Sequence, residues 1–277
     1  MSTATEAKPH LSATQITMLS NCGEQYKRRY VDGEIIPPGI ALMKGGALHK
    51  GAETNMRQKL VSGMDLPKPE IVEATVAAFE AGLHGMYALT DEERSRGVSV
   101  VIGEAKDRLV EVATCHADEQ APDYQPVMVE ETVRIELPGP RDILGIIDLA
   151  DDLNRITDFK TASRRKRQDD ADTNIQLSVY AAAFEVKMGI PPSEVRLDSI
   201  VQTKKSTSRQ VLISQRSRAD FNVLAARINA AAKTIEAGTF MPAAIGWWGC
   251  SLRFCGFARS CPFFNAERKA LGDGGEE

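Results

Sequence analysis

The chain has 277 residues, 43% of them hydrophobic, 26% charged and 6% aromatic. That composition excludes disorder, collagen-like repeats and disulfide mini-proteins, and it allows a sizeable core. With 34 Lys and Arg against 38 Asp and Glu the formal charge is -4, so the molecule as a whole will not condense onto nucleic acid, and any such binding must use a local patch. No stretch approaches the roughly 20 consecutive apolar residues of a membrane helix, and the polar start MSTATEAKPH lacks the apolar core of a secretory signal. A cytoplasmic protein without membrane contact is expected.

In chain order, Thr14 is placed to cap a short helix carrying Ile16, Met18 and Leu19, which leads into Cys22 and the basic run Lys27, Arg28 and Arg29. A helix is predicted over about 41–61, opening with ALMKGGALHKGAE. Helical spacing continues from about 68 to 119 through Ile71, Val72, Val76 and Phe79, then Val98, Val101, Ile102, Leu109 and Val112, which reads as a helical insertion over about 65–120. From 127 the period changes to two in VMVEETVRIEL, RDILGIIDLADD and NRITDFKT, separated by the turn-forming PGPR and ADDLN. Three antiparallel strands follow. A helix is expected over about 172–188, ahead of Gly189 and Pro191-Pro192. Strands RLDSIVQT and RQVLISQ resume the sheet, and a helix over about 218–237 closes it. One α/β domain spanning 1–277, with a mixed central sheet flanked by helices, is the expected architecture.

The densest chemistry lies in the middle strands, where Asp148 ends the apolar run ILGIID and Asp158-Phe159-Lys160 ends the next strand. A hairpin about the turn near 151–154 brings the two carboxylates to adjacent positions on neighbouring strands, about 5 Å apart, and alternation points Asp158 and Lys160 to one face. Two like charges about 4 Å apart repel by on the order of 4 kcal/mol at an effective dielectric of 20, so the pair calls for a cation or a shared proton. Magnesium or manganese suits the Asp148 and Asp158 carboxylates together with the Phe159 backbone carbonyl. Such an ion with Lys160 beside it is the chemistry of phosphodiester hydrolysis.

Cysteine usage adds a second constellation. Five cysteines in a reducing compartment argue for metal ligation rather than disulfides, and Cys250, Cys255 and Cys261 are clustered near the C-terminal end. Cys22 can complete a four-thiolate set for zinc or an iron-sulfur cluster, whereas Cys115 falls in the helical insertion. Trp247, Trp248, Phe254, Phe257, Phe263 and Phe264 surround the set; they would shield it or offer base-stacking surfaces.

Together Gly45-xxx-His49, Gly145-Ile-Ile-Asp148, Asp158-Phe-Lys160-Thr161 and Gln176-xxx-Tyr180 resemble the PD-(D/E)xK nuclease superfamily, specifically its RecB-like branch with the CRISPR-associated four-cysteine exonucleases and phage recombination nucleases. With the cysteines, the resemblance covers about 22–261. It implies a restriction-endonuclease-like sheet, a helical insertion, and a C-terminal cysteine module at about 247–264 in which Cys22, Cys250, Cys255 and Cys261 carry a [4Fe-4S] cluster, with zinc as the alternative. C-x4-C stands here where many relatives have C-x2-C. The resemblance further implies His49 as a metal ligand with Glu53 one turn along the same helix face, Gly45 and Gly46 permitting close approach to the sheet, and Gln176 and Tyr180 contacting the substrate or steadying Lys160. Of Glu130 and Glu131, alternation lets only one face inward, and the sequence leaves that choice open.

The implied activity is divalent-metal-dependent exonuclease action on DNA, with single-stranded ends favoured, in recombination, repair or CRISPR-type processing alongside protein partners of those pathways. Basic runs at Lys27-Arg28-Arg29, Arg164-Arg165-Lys166-Arg167 and Lys204-Lys205 with Arg209 would meet phosphates without reading sequence. The competing readings are a non-catalytic DNA-binding or adaptor subunit of a recombination complex and a zinc-stabilised binding protein.

Overall fold

The computed structural model describes residues 8–265. The chain divides into two compact units, one from Met1–Ile36, Leu137–Asp142 and Ala225–Glu277, the other from Pro37–Glu136 and Ile143–Leu224.

The first unit opens with β1 (His10–Leu11) and α1 (Ala13–Asn21). Ser12, not Thr14, caps α1: its hydroxyl accepts from the Gln15 N–H at 3.2 Å while the Gln15 side chain accepts from the Ser12 N–H at 2.7 Å. This reciprocal pair satisfies two orphan donors where a lone Thr14 would satisfy one. A second short helix, α2 (Gly23–Tyr26), starts at Cys22, whose Sγ accepts from the Gln25 N–H at 3.4 Å. Gly23 permits the C-terminal segment to lie directly on this corner. Its N–H donates to the Met241 carbonyl at 2.7 Å, and a Cβ there would stand 2.8 Å from the Met241 backbone.

The second unit begins with α3 (Ile40–Ser62), within a residue of the expected bounds and stopped by Gly63 at φ 76°. The expected insertion resolves into α4 (Lys68–Leu83), α5 (Asp91–Arg96) and α6 (Val98–Cys115). These are not an appendage, because Phe79 of α4 and Val101, Ala105 and Leu109 of α6 share one buried cluster with Ile40 and Ala47 of α3. The helices therefore brace the element that carries His49.

Five strands follow the expected pattern: β2 (Pro126–Ile135), β3 (Asp142–Asp151), β4 (Arg155–Ala162), β5 (Glu194–Gln202) and β6 (Thr207–Ser214). β2, β3 and β4 form an antiparallel meander, β5 runs parallel to β4, and β6 returns antiparallel. The parallel step requires a crossover, supplied by α7 (Gln168–Asp172) and α8 (Ile175–Met188). The expected helix over 172–188 is thus broken at its start, where the Asn174 side chain accepts from the Leu177 N–H at 3.2 Å and caps α8 afresh. α9 (Arg218–Glu236) follows β6. Packing of α8 on the sheet depends on Gly145, where a Cβ would lie 3.2 Å from Val179 and 3.5 Å from Ala183. By contrast a Cβ at Gly45 would make ordinary contact at 3.8 Å and one at Gly46 would meet nothing within 4 Å, so these two do not set the approach of α3.

Candidate active site

β3 and β4 pair at only two positions, Leu149 with Thr157 and Ala150 with Ile156. The next pair along would be Asp148 and Asp158, and there the ladder ends. Instead of a backbone partner, the Phe159 N–H donates to Asp148 Oδ2 at 3.1 Å. The fork between the strands is therefore where both carboxylates stand, as the spacing predicted. Asp158 is fully buried and Asp148 nearly so.

Each carboxylate is held by a different neighbour. Lys160 Nζ donates to Asp158 Oδ1 at 2.8 Å, whereas Asp158 Oδ2 is buried without a hydrogen-bond partner. Tyr180 Oη donates to Asp148 Oδ1 at 3.1 Å and itself accepts from Gln176 Nε2 at 2.5 Å. Gln176 and Tyr180 thus orient Asp148 rather than Lys160. From α3, His49 Nδ1 lies 3.4 Å from Asp148 Oδ2 and 3.8 Å from Glu130 Oε1.

Register settles the choice between the two glutamates. Val129 pairs with Leu149 and Glu131 with Ile147, which leaves Glu130 across from Asp148. Glu130 has φ 47°, a left-handed conformation for a non-glycine residue within a strand, which costs on the order of 1–2 kcal/mol. Glu131 is instead ion-paired to Lys187 of α8. His49, Glu130 and Asp148 each present a ligand atom within 4.8 Å of the others, and among the described residues they are the one group of three or more His, Cys, Asp or Glu side chains to do so. Glu53 does not join them, since its oxygens are taken by Lys50 at 2.9 Å and Arg57 at 2.7 Å.

Burial penalises the charged forms in this cluster. It raises the Asp158 carboxyl to about 7, a rise reinforced by Asp148 and opposed by Lys160. Asp148 is raised for the same first reason, against the pull of His49 and Lys160. Lys160 is disfavoured by burial, but Asp158 and Asp148 outweigh that and hold its ammonium above the usual range. In His49 the bond to Glu130 and the charge of Asp148 likewise overcome burial and raise the imidazole. Burial, with Asp148 second, lifts the Tyr180 phenol far above its ordinary value, so it remains a donor. The trio of His49, Glu130 and Asp148 fits a divalent cation in the chemistry of its donors, whereas Asp158, expected as a ligand, stands outside that trio with Lys160 on one oxygen and no partner on the other.

Lys44, five residues before His49, is half-buried with no ion-pair partner among the described residues, and burial followed by the nearby Arg108 lowers its pKa. Of the basic runs, Arg164, Arg165 and Lys166 are exposed beyond β4, and Lys204 and Lys205 sit exposed in the β5–β6 turn. Arg209 is not available to a ligand, being bonded to Asp198 at 2.7 Å and paired with Asp123.

In the first unit, Cys22, Cys250, Cys255 and Cys261 all line one cavity of about 20 Å³, walled by Trp247, Phe257 and Phe264. Burial raises the Cys250 and Cys255 thiols, and neighbouring cysteines add to the rise. No three of the four sulfurs lie within 4.8 Å of one another. Cys115 is elsewhere, packed with Leu48, Val112 and Ile200, and burial pushes its thiol up to about 12. The run Lys27-Arg28-Arg29 proves structural at its centre. Arg28 is buried, donates to both Glu34 oxygens at 2.7 and 2.9 Å, and reaches the Phe257 carbonyl at 3.3 Å and Ser260 Oγ at 2.7 Å.

Comparison with known proteins places this geometry in a family. The model of the PD-(D/E)XK nuclease superfamily matches residues 10–262, and the chain belongs to that superfamily. Among solved structures, one named "Putative exonuclease" from Eubacterium rectale is similar with a TM-score of 0.55 and 13% identity, covering 96% of this chain and 94% of that one. Another, named SSO0001, has a TM-score of 0.41 and 13% identity over 93% of this chain and 88% of that one. The first likeness is one of fold. No curated protein matches. Among the described residues, no helix is long and apolar enough to cross a membrane.

Proposed function

We propose that this protein is a divalent-metal-dependent DNA exonuclease acting on single-stranded ends. The observation that carries the reading is the fork of β3 and β4, where buried Asp148 and Asp158 stand beside Lys160 with one carboxylate oxygen unpartnered. Asp148, Asp158, Glu130 and His49, with the Phe159 carbonyl, would hold magnesium or manganese. When bound, such an ion supplies Lewis acidity and charge neutralisation at the scissile phosphate. Lys160, kept protonated by the two aspartates, donates hydrogen bonds that orient the attacking water and offset developing negative charge. Tyr180 and Gln176 fix the rotamer of Asp148. Arg164, Arg165 and Lys166, exposed just beyond β4, would neutralise backbone phosphates, giving salt-sensitive binding with little sequence preference. The exonuclease element draws on the name of the Eubacterium rectale structure, and the DNA element on the superfamily.

A [4Fe-4S] cluster on Cys22, Cys250, Cys255 and Cys261 is part of the same proposal. Four thiols share one cavity while the fifth is packed in a core. Sulfurs around a single tetrahedral zinc, with bonds of about 2.3 Å, would approach to about 3.8 Å, closer than these stand in threes. A reducing cytoplasm suits such free thiols.

The test is degradation of end-labelled linear DNA with magnesium, manganese or chelator by wild type, Asp158→Ala and Lys160→Ala. Loss of activity by about a hundredfold or more in both variants and in chelator is expected. Equal degradation by all three proteins would remove the mechanism, and a ladder from substrates with blocked ends would replace exonuclease by endonuclease. Anaerobic purification with iron, sulfide and zinc analysis decides the cluster.

A further inference from the structure

Between Glu236 and Glu267 the chain contains no Asp or Glu, although the whole protein carries a charge of -4, and the same stretch holds both tryptophans and five of the nine phenylalanines. Not all of these rings are spent on the thiol cavity. Trp247 lines that cavity and also a second groove, where its ring centroid lies 5.7 Å from that of Trp248, which is 69% exposed. Trp248 meets Phe254 edge to face, with centroids 5.0 Å apart and planes at 86°, so a face of the indole stays open. Arg253 lies over the Phe254 ring at 5.3 Å and has no carboxylate partner among the described residues. Phe254 and Phe263 are themselves 55% and 56% exposed. Together Trp248, Arg253, Phe254 and Phe263 wall an open groove of about 390 Å³.

We infer that this groove is a stacking platform for the unpaired bases of a single-stranded polynucleotide. Exposed ring faces cost solvation, and large exposed apolar patches mark binding sites. Two features choose the occupant. The absence of any carboxylate across the stretch, together with Arg253, is complementary to a polyanion. Stacking on aromatic faces, reinforced by a guanidinium, is how single strands are held without sequence reading. Bases inside a duplex offer no such face, so the platform selects strands that are unpaired. The inference deepens the proposed function by assigning strand selection to residues remote in sequence from the carboxylates, and it rests on that reading for its biological use only.

Binding is measured in EDTA, so that nothing is cut, by fluorescence anisotropy with three labelled probes of about 16 nucleotides, an upper site size for one single-strand-binding fold. The probes are oligothymidylate, an abasic strand of equal length and a duplex. Trp248→Ala and Phe263→Ala should each weaken oligothymidylate binding by about five- to a hundredfold, leave the abasic strand and duplex unchanged, and keep the wild-type melting temperature. Trp248→Phe should retain most of the affinity. Equal affinities for all proteins, or equal losses on all three probes, would overturn the platform. So would a dimer of the wild type, seen by sedimentation, that dissociates in Trp248→Ala while oligothymidylate affinity stays constant, since the face would then bind a second copy. Asp158→Asn separates the two readings. If wild type proves unable to cut DNA yet loses oligothymidylate binding on Trp248→Ala, the nuclease reading fails and the platform stands. If wild type cuts, Asp158→Asn does not, and Trp248→Ala binds normally, the platform fails alone.

Discussion

The carboxylate site hangs on strands and long helices, whereas three of the four thiols hang on turns and the fourth, Cys22, on the junction of two short helices. His49 sits within a helix of 23 residues, Glu130, Asp148, Asp158 and Lys160 sit on adjoining strands, and Tyr180 sits on the crossover helix. Beyond α9, the segment that supplies three of the thiols has a single 3-10 turn, Ala258–Ser260, as its only helical element among the described residues. The two regions therefore fail differently. Where elements are rigid, removing a ligand should spare the fold and cost function. Where turns are held by a few side chains, removing one should cost stability and leave the chemistry at the fork unchanged. Rigid secondary structure positions charge precisely, while turns depend on cross-links to remain ordered.

The largest effect expected from this contrast falls on Arg28. Truncation to Ala strips both Glu34 bonds and those to Phe257 and Ser260 from a buried guanidinium, at a cost of about 2–3 kcal/mol. Thermal denaturation should show the midpoint falling by about 5–10 °C, with the cleavage rate below the transition unchanged. A lost rate at constant midpoint would erase the contrast.

The two glutamates give the next test. Glu130→Gln should weaken manganese binding, followed by calorimetry, about 10- to 100-fold, while Glu131→Gln should match wild type because its partner Lys187 lies on the surface of α8. An effect of equal size at both positions would mean that the register opposite Asp148 does not select the ligand.

Metal-free stability should carry a pH signature of the fork. Asp158 is raised by burial to about 7 in the folded chain, against an unfolded value of about 3.9. Its folded form thus favours the proton: stability is fully present below about pH 4 and lost as pH rises through 7. In EDTA, Asp158→Asn should melt above wild type by a margin that grows from pH 4 to pH 7, by a few degrees in all. A margin that shrinks with pH would show that Asp158 is charged and content in the empty site. The smallest effect belongs to Tyr180→Phe, which removes one hydrogen bond to Asp148 worth about 1 kcal/mol. Steady-state kinetics should show the turnover rate down about fivefold with little change in substrate binding, and a wild-type rate would reduce Tyr180 to packing.

Much of this was legible beforehand because it depended on local pattern. Period-two runs located the meander, and alternation put Asp158 and Lys160 on one face, but Asp148, Asp158 and Lys160 lie within β3 and β4 rather than at their ends, because both strands run on past the carboxylates. Local competition explains the small errors. Ser12 outranked Thr14 because a Gln lies three residues on, and Asn174 restarted the helix that had been expected to run from 172. Basic runs were the least informative signal, since a charge run does not tell which of its members is buried: Arg28 and Arg209 are both consumed by carboxylates.

By itself the order of residues determined the elements, the pairing of two acidic groups across a short hairpin, and the separation of four clustered-or-distant thiols from a fifth set in a helix. Those properties follow from periodicities of two and 3.6 residues and from turn length, which act over a few neighbours. Only the tertiary structure decided that Glu130 rather than Glu131 faces His49, that Tyr180 serves Asp148, and that Trp247 reaches the thiol cavity while Trp248 does not. Each of those outcomes depends on strand register, or on the packing of segments far apart in the chain, and neither is encoded in any short window of it.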